Sequence, residues 1–508
     1  MARFTRRYFF YGSLLAGAIP KGGFGSTTSL KAAGYKSPNE KLNIASIGAG
    51  GKAASDIRGC APTENIVALC DVDDKQSEKI FSEFDKAPKY KDFRKMLDKE
   101  ASNIDAVIVT IPDFMHTTAA LWCMERGKHV YVQKPLCRTI AETRMMSEAA
   151  AKYKVATQMG NQGYSNEGTR QCAEMIWNGD IGNVTEVHAW TDRPIWPQGL
   201  TEIPAPDPVP STLDWDLWQG ISTPRAFTIG GKGYPTKSGN FYQPFNWRGF
   251  YDFGCGALGD MACHILGAPN MALNLTERMP TSVECIHKEG ASSFMFPTAS
   301  VIRFDFPAHG NMPAVKLFWH DGMKQAPKID GVPDGEWIGD LPNFGRPRAQ
   351  GEQTAAARPA PPKTSPAVIG RVFDYDAFKE RSAQGEPRPV SPDGSLFIGD
   401  KGMLTTGTYG EDTRLLPVEK MKDYKFPPEL LTRSPGHYRD WIRACKGGDP
   451  ACSNFSVSAP MTEWILLGVI ALRVEGKVEY DSAKMKITSH ADANKYIKPV
   501  VRKGWSMT

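Results

Sequence analysis

Hydrophobic residues in the first third of the chain fall in short runs separated by amphipathic stretches. LNIASIG at 42–48, NIVALCD at 65–71, DAVIVTIP at 105–112 and KHVYVQKPL at 128–136 are compact apolar runs, as expected of strands buried on both faces. Between them, the stretch from Lys75 to Phe84, KDFRKMLDKE at 91–100 and TTAALWCMERG at 117–127 place apolar positions at helical spacing. This alternation predicts a Rossmann-type, doubly wound parallel sheet over residues 41–160. From about Gly163 the pattern changes. EVHAWTDRPIWPQG at 186–199 begins as an alternating strand and ends in a Trp/Pro-rich loop, and SVECIHK, ASVIRFDF and AVKLFWHDG also read as strands. They predict a second domain of α+β type, over 161–480, with a large, mostly antiparallel open sheet. Residues 461–476 read as a buried apolar helix, 445–450 as a turn, 340–367 as a Pro/Ala-rich surface loop or oligomer arm, and 481–508 as a C-terminal extension.

In a doubly wound sheet, ligands bind beyond the carboxyl ends of the strands. Those ends are Gly48, Asp71, Thr110–His116 and Gln133–Pro135. Gly48-Ala49-Gly50-Gly51-Lys52-Ala53 is a G-x-G-x-x-A turn, a variant of the dinucleotide fingerprint. In it, Gly48 permits the tight turn, Gly50 lets the backbone approach a pyrophosphate, and Ala53 lets the helix pack on the strand. The helix start at Gly51 and Lys52 offers amide donors and a positive dipole end. Asp71 lies 23 residues after Gly48, where a carboxylate accepts from adenosine ribose hydroxyls and repels a 2′-phosphate, favouring NAD over NADP. The competing reading is an Asp that caps the strand at a turn, and Asp73 and Asp74 could share the ribose role.

Composition adds bounds. The 508 residues are 41% hydrophobic and 23% charged, enough for two or three ordinary domains, and the net charge of +5 has no basic block that would suggest nucleic acid. The ten cysteines form no CxxC pair and read as buried free thiols, so no metal site is expected. Beyond the N-terminus no apolar run is long enough to span a membrane. Residues 5–11, TRRYFFY, precede the short apolar GSLLAGAIP, which suggests a twin-arginine export signal and linker over 1–32 and a periplasmic protein without a membrane anchor. The alternative is a basic N-terminus with a chance arginine pair. That route carries folded proteins, so a soluble cofactor would be acquired before export.

The GAGGKA turn, TIPDFMH at 110–116, GKHVYVQKPL at 127–136 and DFGCGALGDMACH at 252–264 together resemble the glucose–fructose oxidoreductase / inositol 2-dehydrogenase family, Gfo/Idh/MocA. The resemblance covers roughly 41–290; LLTRSPGHYRDWIRACKGG and MTEWILLGVIALR resemble exported members more loosely. It implies that Gln133, Lys134 and Pro135 lie beside a nicotinamide and that Pro112 and His116 belong to the cofactor-facing loop. It also implies that the open sheet covers the nicotinamide and that the chain forms a homodimer or homotetramer. The family usually has Glu-Lys-Pro; Gln133 keeps hydrogen-bonding capacity but loses the charge.

Hydride transfer from an alcohol needs a base for the hydroxyl proton. The candidates are Lys134, Asp260 and His264. Asp260 and His264 stand four residues apart and share a face if the segment is helical, though such pairs are ordinarily surface ion pairs. By resemblance His264 is the base, Asp260 positions it or the substrate, and Lys134 assists the proton transfer and binds substrate oxygen. Eleven of twelve tryptophans lie at or beyond Trp177, and aromatic faces pack on the C–H faces of sugars, although tryptophan also builds cores. Trp190, Arg193, Trp247, Arg248 and Tyr251 are candidate substrate contacts. The expected activity is NAD(P)-dependent oxidoreduction of a sugar, polyol or glycoside with a tightly bound, recycled cofactor. The alternatives are a redox-assisted glycoside hydrolase and a non-catalytic dinucleotide- or carbohydrate-binding protein.

Overall fold

The computed structural model describes residues 39–230, 240–290, 292–323, 326–340, 375 and 393–507. The expected export signal, and the Pro/Ala-rich arm beyond Asp340, lie outside them. The first half of the described chain runs β1 (Asn43–Ile47), α1 (Lys52–Cys60), β2 (Asn65–Cys70), α2 (Asp74–Glu83), β3 (Lys89–Tyr90), α3 (Phe93–Glu100), β4 (Ala106–Val109), α4 (His116–Glu125), β5 (His129–Val132), α5 (Ile140–Tyr153) and β6 (Thr157–Met159). The strands form one parallel sheet in the order β3-β2-β1-β4-β5-β6. Strand order reverses between β1 and β4, and the crevice for a ligand opens there, at the strand ends. The side chains of Asp73 and Asp92 cap α2 and α3. Thr139 and Glu142 form a capping box that starts α5, a helix the pattern reading passed over although T-x-x-E stands in the sequence.

The remaining elements are α6 (Glu167–Asn178), β7 (Val184–Trp190), α7 (Trp215–Gln219), α8 (Gly256–Ile265), α9 (Gly267–Ala272), β8 (Ser282–Glu289), β9 (Ala299–Phe306), β10 (Val315–Asp321), β11 (Gly394–Gly399), β12 (Gly402–Thr406), β13 (Arg414–Leu416), α10 (His437–Cys445), α11 (Phe455–Ala471), β14 (Lys477–Asp481) and β15 (Lys486–Ile487). They build a nine-stranded sheet, β13-β12-β11-β7-β10-β9-β8-β14-β15, antiparallel except where β7 meets β10. The apolar helix expected at 461–476 is α11, which is buried on nearly every side and packs on α5 and α8. Eight of the ten cysteines are buried, and all are free. No helix among the described residues is long and apolar enough to cross a membrane.

One contact ties the two ends of the chain together. Trp441, Ile442 and Cys445 of α10 share an apolar cluster with Ile44, Ile57, Leu69, Ile108 and Tyr131 of the parallel-sheet domain. A Cβ on Gly59 of α1 would lie 2.4 Å from the Tyr438 ring, so α10 lies directly against α1 at that glycine.

Candidate functional site

The glycine turn is built by two different constraints. Gly48 has φ +95°, and a Cβ there would lie 2.1 Å from the Thr110 carbonyl oxygen, so the end of β4 leaves room only for glycine. Gly50 carries a second constraint. A Cβ at Gly50 would lie 2.6 Å from the Gln76 carbonyl oxygen, so its smallness also serves the packing of the turn on α2. Gly51, at φ +53°, faces open space. The amides of Gly51 and Lys52 find no acceptor among the described residues, and they stand at the positive end of α1. That is a cradle suited to a pyrophosphate. Ala53 is wholly buried, as a helix seated on its strand requires.

Asp71 combines both of its sequence readings. Its Oδ2 accepts from the amides of Ala49 (2.8 Å) and Gly50 (3.1 Å), and its Oδ1 accepts from Asp73 N (3.0 Å). It therefore holds the glycine turn, while Oδ1 keeps a lone pair for a ribose hydroxyl. Burial pushes this carboxyl up, against the pull of the three amides. Asp73 and Asp74 do not share the role: Asp73 caps α2 through Lys75 N, and Asp74 pairs with Lys91 at 2.9 Å.

At the other strand ends, Thr110 Oγ1 and Gln133 Nε2 both donate to Asp56 Oδ2, each at 2.9 Å. The Lys52 ammonium and the Tyr438 hydroxyl both bond to Asp56 Oδ1. The Lys52 side chain is thus engaged by Asp56 and stands 2.9 Å from the oxygen of a Gln162 amide oriented to satisfy both its ends. His116 corrects an expectation. It is fully buried, with Nδ1 2.9 Å from Pro135 O and Nε2 2.7 Å from Ile111 O. It pins the 110–116 loop to the Lys134–Pro135 turn instead of touching a ligand. Burial pushes its ring down to about 4. Pro112 precedes the short turn at Asp113–Met115 on the same loop.

Helix α8 brings the acid–base candidates to that turn. A Cβ on Gly259 would lie 2.1 Å from Cys255 Cβ and 3.7 Å from Pro135 Cγ, so the helix passes close beside the lysine's own turn. Lys134 Nζ donates to Asp260 Oδ1 (2.9 Å) and to the Asp260 carbonyl (2.7 Å); Arg248 Nε donates to the same Oδ1 (2.8 Å). Two of the three ammonium hydrogens are used and one remains. Burial works to raise the Asp260 carboxyl, but Lys134 and Arg248 outweigh it and hold it far below the usual range. No hydrogen bond joins Asp260 to His264, so the helical spacing does not produce the carboxylate–imidazole pair expected of it. The carboxylate turns to the two cations. His264 Nδ1 is buried without a partner, and the ring packs edge-on against Tyr409 with centroids 4.9 Å apart. Burial, then the charge of Lys134, push the imidazole well below its ordinary value, so it is neutral.

The expected sugar contacts divide. Arg193 pairs with Asp192 and lies within electrostatic reach of Asp260. Trp247 is buried, donates to Pro244 O at 3.1 Å, and forms with Phe245 the aromatic seat of the Arg248 guanidinium, 4.3 and 4.2 Å away. Its ring supports Arg248 and is not laid bare for a sugar. Trp190 is fully buried among Ile338, Leu396 and Leu416, and its ring is walled by Gly339 and Gly394, so it is a core residue. Tyr251 is taken up by Phe296 and the Arg473 guanidinium.

Two residues escaped the sequence reading. Asp113, inside the quoted TIPDFMH motif, is buried near Arg248, Asp260 and Lys134. Burial pushes its carboxyl up to about 7, with the Arg248 and Lys134 charges pulling the other way. Between the unfolded value and 7 the native state binds the extra proton, so this group's contribution to stability falls as pH rises through that window. Asp113→Asn is therefore expected to raise the melting temperature relative to wild type by more at pH ~8 than at pH ~5, by calorimetry. His437, inside the quoted SPGHYRDW stretch, bonds Ser165 Oγ through Nδ1 (2.8 Å) and leaves Nε2 buried and unpartnered.

Residues 42–161 match the Gfo/Idh/MocA model, described as an oxidoreductase family with an NAD-binding Rossmann fold. Among individual proteins, the chain is 31% identical over 177 residues to a Glycosyl hydrolase family 109 protein of Solibacter usitatus, covering 32% of this chain and 39% of the relative. It is 30% identical over 151 residues to an inositol 2-dehydrogenase of Serratia proteamaculans, covering 29% and 44%. The chain thus spans about two-fifths of the length of these curated relatives. The structure of the WlbA dehydrogenase from Bordetella pertussis, in complex with NADH and UDP-GlcNAcA, superposes with a TM-score of 0.53 over 87% of this chain and 99% of its own, at 13% identity, and shows a shared fold.

Proposed function

We propose that the protein is an NAD-dependent oxidoreductase acting on a hydroxyl of a sugar, polyol or glycoside, exported folded by the twin-arginine route with its cofactor tightly held and recycled, and working as a homodimer or homotetramer. The observation that carries the reading is the Lys134 ammonium, held by Asp260 beside a neutral His264, at the strand-end crevice whose glycine turn presents the free amides of Gly51 and Lys52. Gly48, Gly51, Lys52, Asp71 and the Gln133–Lys134 turn are the residues that would hold the dinucleotide, and bound NAD supplies the hydride acceptor. The remaining N–H of Lys134 points a substrate oxygen and stabilises negative charge on it. His264 takes the hydroxyl proton. Asp260 keeps the ammonium in place, and Arg248 keeps Asp260 ionised.

Mass spectrometry of small molecules released on denaturing the purified protein tests the reading. NAD(H) near one per chain is expected, with NADH bound about tenfold or more tighter than NADPH because of Asp71. A chain that binds neither sinks it. The likeness to a family 109 glycosyl hydrolase favours a second reading, cleavage of a glycoside by transient oxidation and reduction. Release of an aglycone from a glycoside without net NADH would select it.

A further inference from the structure

Three remote segments of the chain end on one carboxylate. Asp56, on α1, has no exposed surface. Its Oδ1 accepts from Tyr438 of α10 at 2.7 Å and pairs with Lys52; its Oδ2 accepts from Thr110 at the end of β4 and Gln133 at the end of β5. All its acceptor sites are in use, as a buried charge requires. The Gln133 amide oxygen in turn faces Lys134 N at 3.3 Å. Gln133 has no room to swing away toward β6, because its amide fills the space beside Gly160, where a Cβ would lie 2.6 Å from it. A second carboxylate at position 133 would stand against the first, and like charges so close cannot both ionise.

We propose that Asp56 is a positioning residue of the dinucleotide crevice. One buried charge holds Lys52 at the glycine turn and the Gln133–Lys134 turn at the opposite side, and the neutrality of Gln133 is the complement of that charge. The inference rests on reading the crevice as an NAD site. The pair is reciprocal. Asp56→Asn combined with Gln133→Glu moves the charge across the hydrogen bond and leaves its number unchanged. The carbonyl at position 56 still accepts from Lys52 and Tyr438, its amide donates toward position 133, and the Thr110 hydroxyl turns from donor to acceptor.

The test is NADH titration of the full-length chain by fluorescence at pH ~6 and ~8, with circular dichroism as the check on folding, for wild type, Asp56→Asn, Gln133→Glu and the double variant. Each single substitution is expected to weaken NADH binding about tenfold or more, and the double variant to return within about threefold of wild type. Gln133→Glu should bind better at the lower pH, where the two carboxylates share a proton; a merely structural loss would not follow pH in this way. Single variants that bind like wild type, or a double variant no better than the weaker single, overturn the proposal. If a single variant fails to fold, Tyr438→Phe decides. It removes one donor and no charge, and should weaken NADH about threefold; unchanged affinity overturns the proposal. Wild type that binds neither NADH nor NADPH defeats the functional reading itself, whereas wild type that binds alongside unresponsive variants defeats only the role of Asp56.

Discussion

Lys134→Ala is expected to lower kcat about a thousandfold on whichever sugar or polyol the wild type oxidises, with the folded structure and NADH affinity largely kept. The ammonium occupies the junction between the Gln133–Pro135 turn and α8, and under the proposed function its third N–H would stabilise developing charge on the substrate oxygen. Loss of one acid–base or oxyanion donor costs about 10²–10⁴ in rate. The loss should fall on kcat rather than KM, since the interaction strengthens as charge develops. Removing Lys134 also strips Asp260 of one of its two cations, but Arg248 still holds the carboxylate at 2.8 Å. The check is nicotinamide absorbance in single turnover together with an NADH titration. A fall of less than tenfold in kcat would remove Lys134 from the chemistry. A matching fall in NADH affinity would make it a cofactor ligand instead.

The second large effect is structural. Gly48→Ala places a methyl group 2.1 Å from the Thr110 carbonyl, at φ +95°, where the clash is with backbone and no flexible side chain can yield. The same shift would pull Thr110 from Asp56. The cost is expected to be about 4 kcal/mol or more, at the far end of single-substitution effects, and to appear as a sharply lowered urea midpoint or as insoluble protein. Gly51→Ala is the informative control. Its site is open, so only the backbone, at φ +53° and ψ −122° where glycine is strongly favoured, opposes the change, and a cost of about 1–3 kcal/mol is expected.

The two substitutions show what the fingerprint could and could not tell. The turn was legible because a G-x-G-x-x-A sequence after an apolar strand has few other uses, and the parallel sheet was legible because its strands are continuous apolar runs. Which glycine does what was not legible, because Gly48 and Gly50 are small for the sake of Thr110 and Gln76, contacts visible only after folding. The acid–base candidates stand in the family motifs, and the structure brings Lys134 and Asp260 into contact but not Asp260 and His264. Spacing on α8 placed Asp260 and His264 together, and spacing is blind to the two cations that arrive from Lys134 and Arg248. Tryptophan misled in a similar way. Trp190 and Trp247 stand near the site in sequence, but one is core and the other seats an arginine. Asp113 was overlooked because an Asp after Pro reads as a turn residue, and nothing local reports its burial. The reason for glutamine at 133 is not legible locally, because its partner Asp56 lies 77 residues earlier.

The docking of α10 on α1 has a consequence for how the molecule is made. The half that would hold the nucleotide is synthesised first, but the helix that covers Ile57 and Tyr131 and supplies Tyr438 to Asp56 emerges after more than four-fifths of the chain has been translated. Until then, an apolar face of the early domain has no cover and its buried carboxylate lacks one of its donors. The early domain is thus finished only once α10 has emerged, so a nucleotide that depends on the completed turn would load late in synthesis.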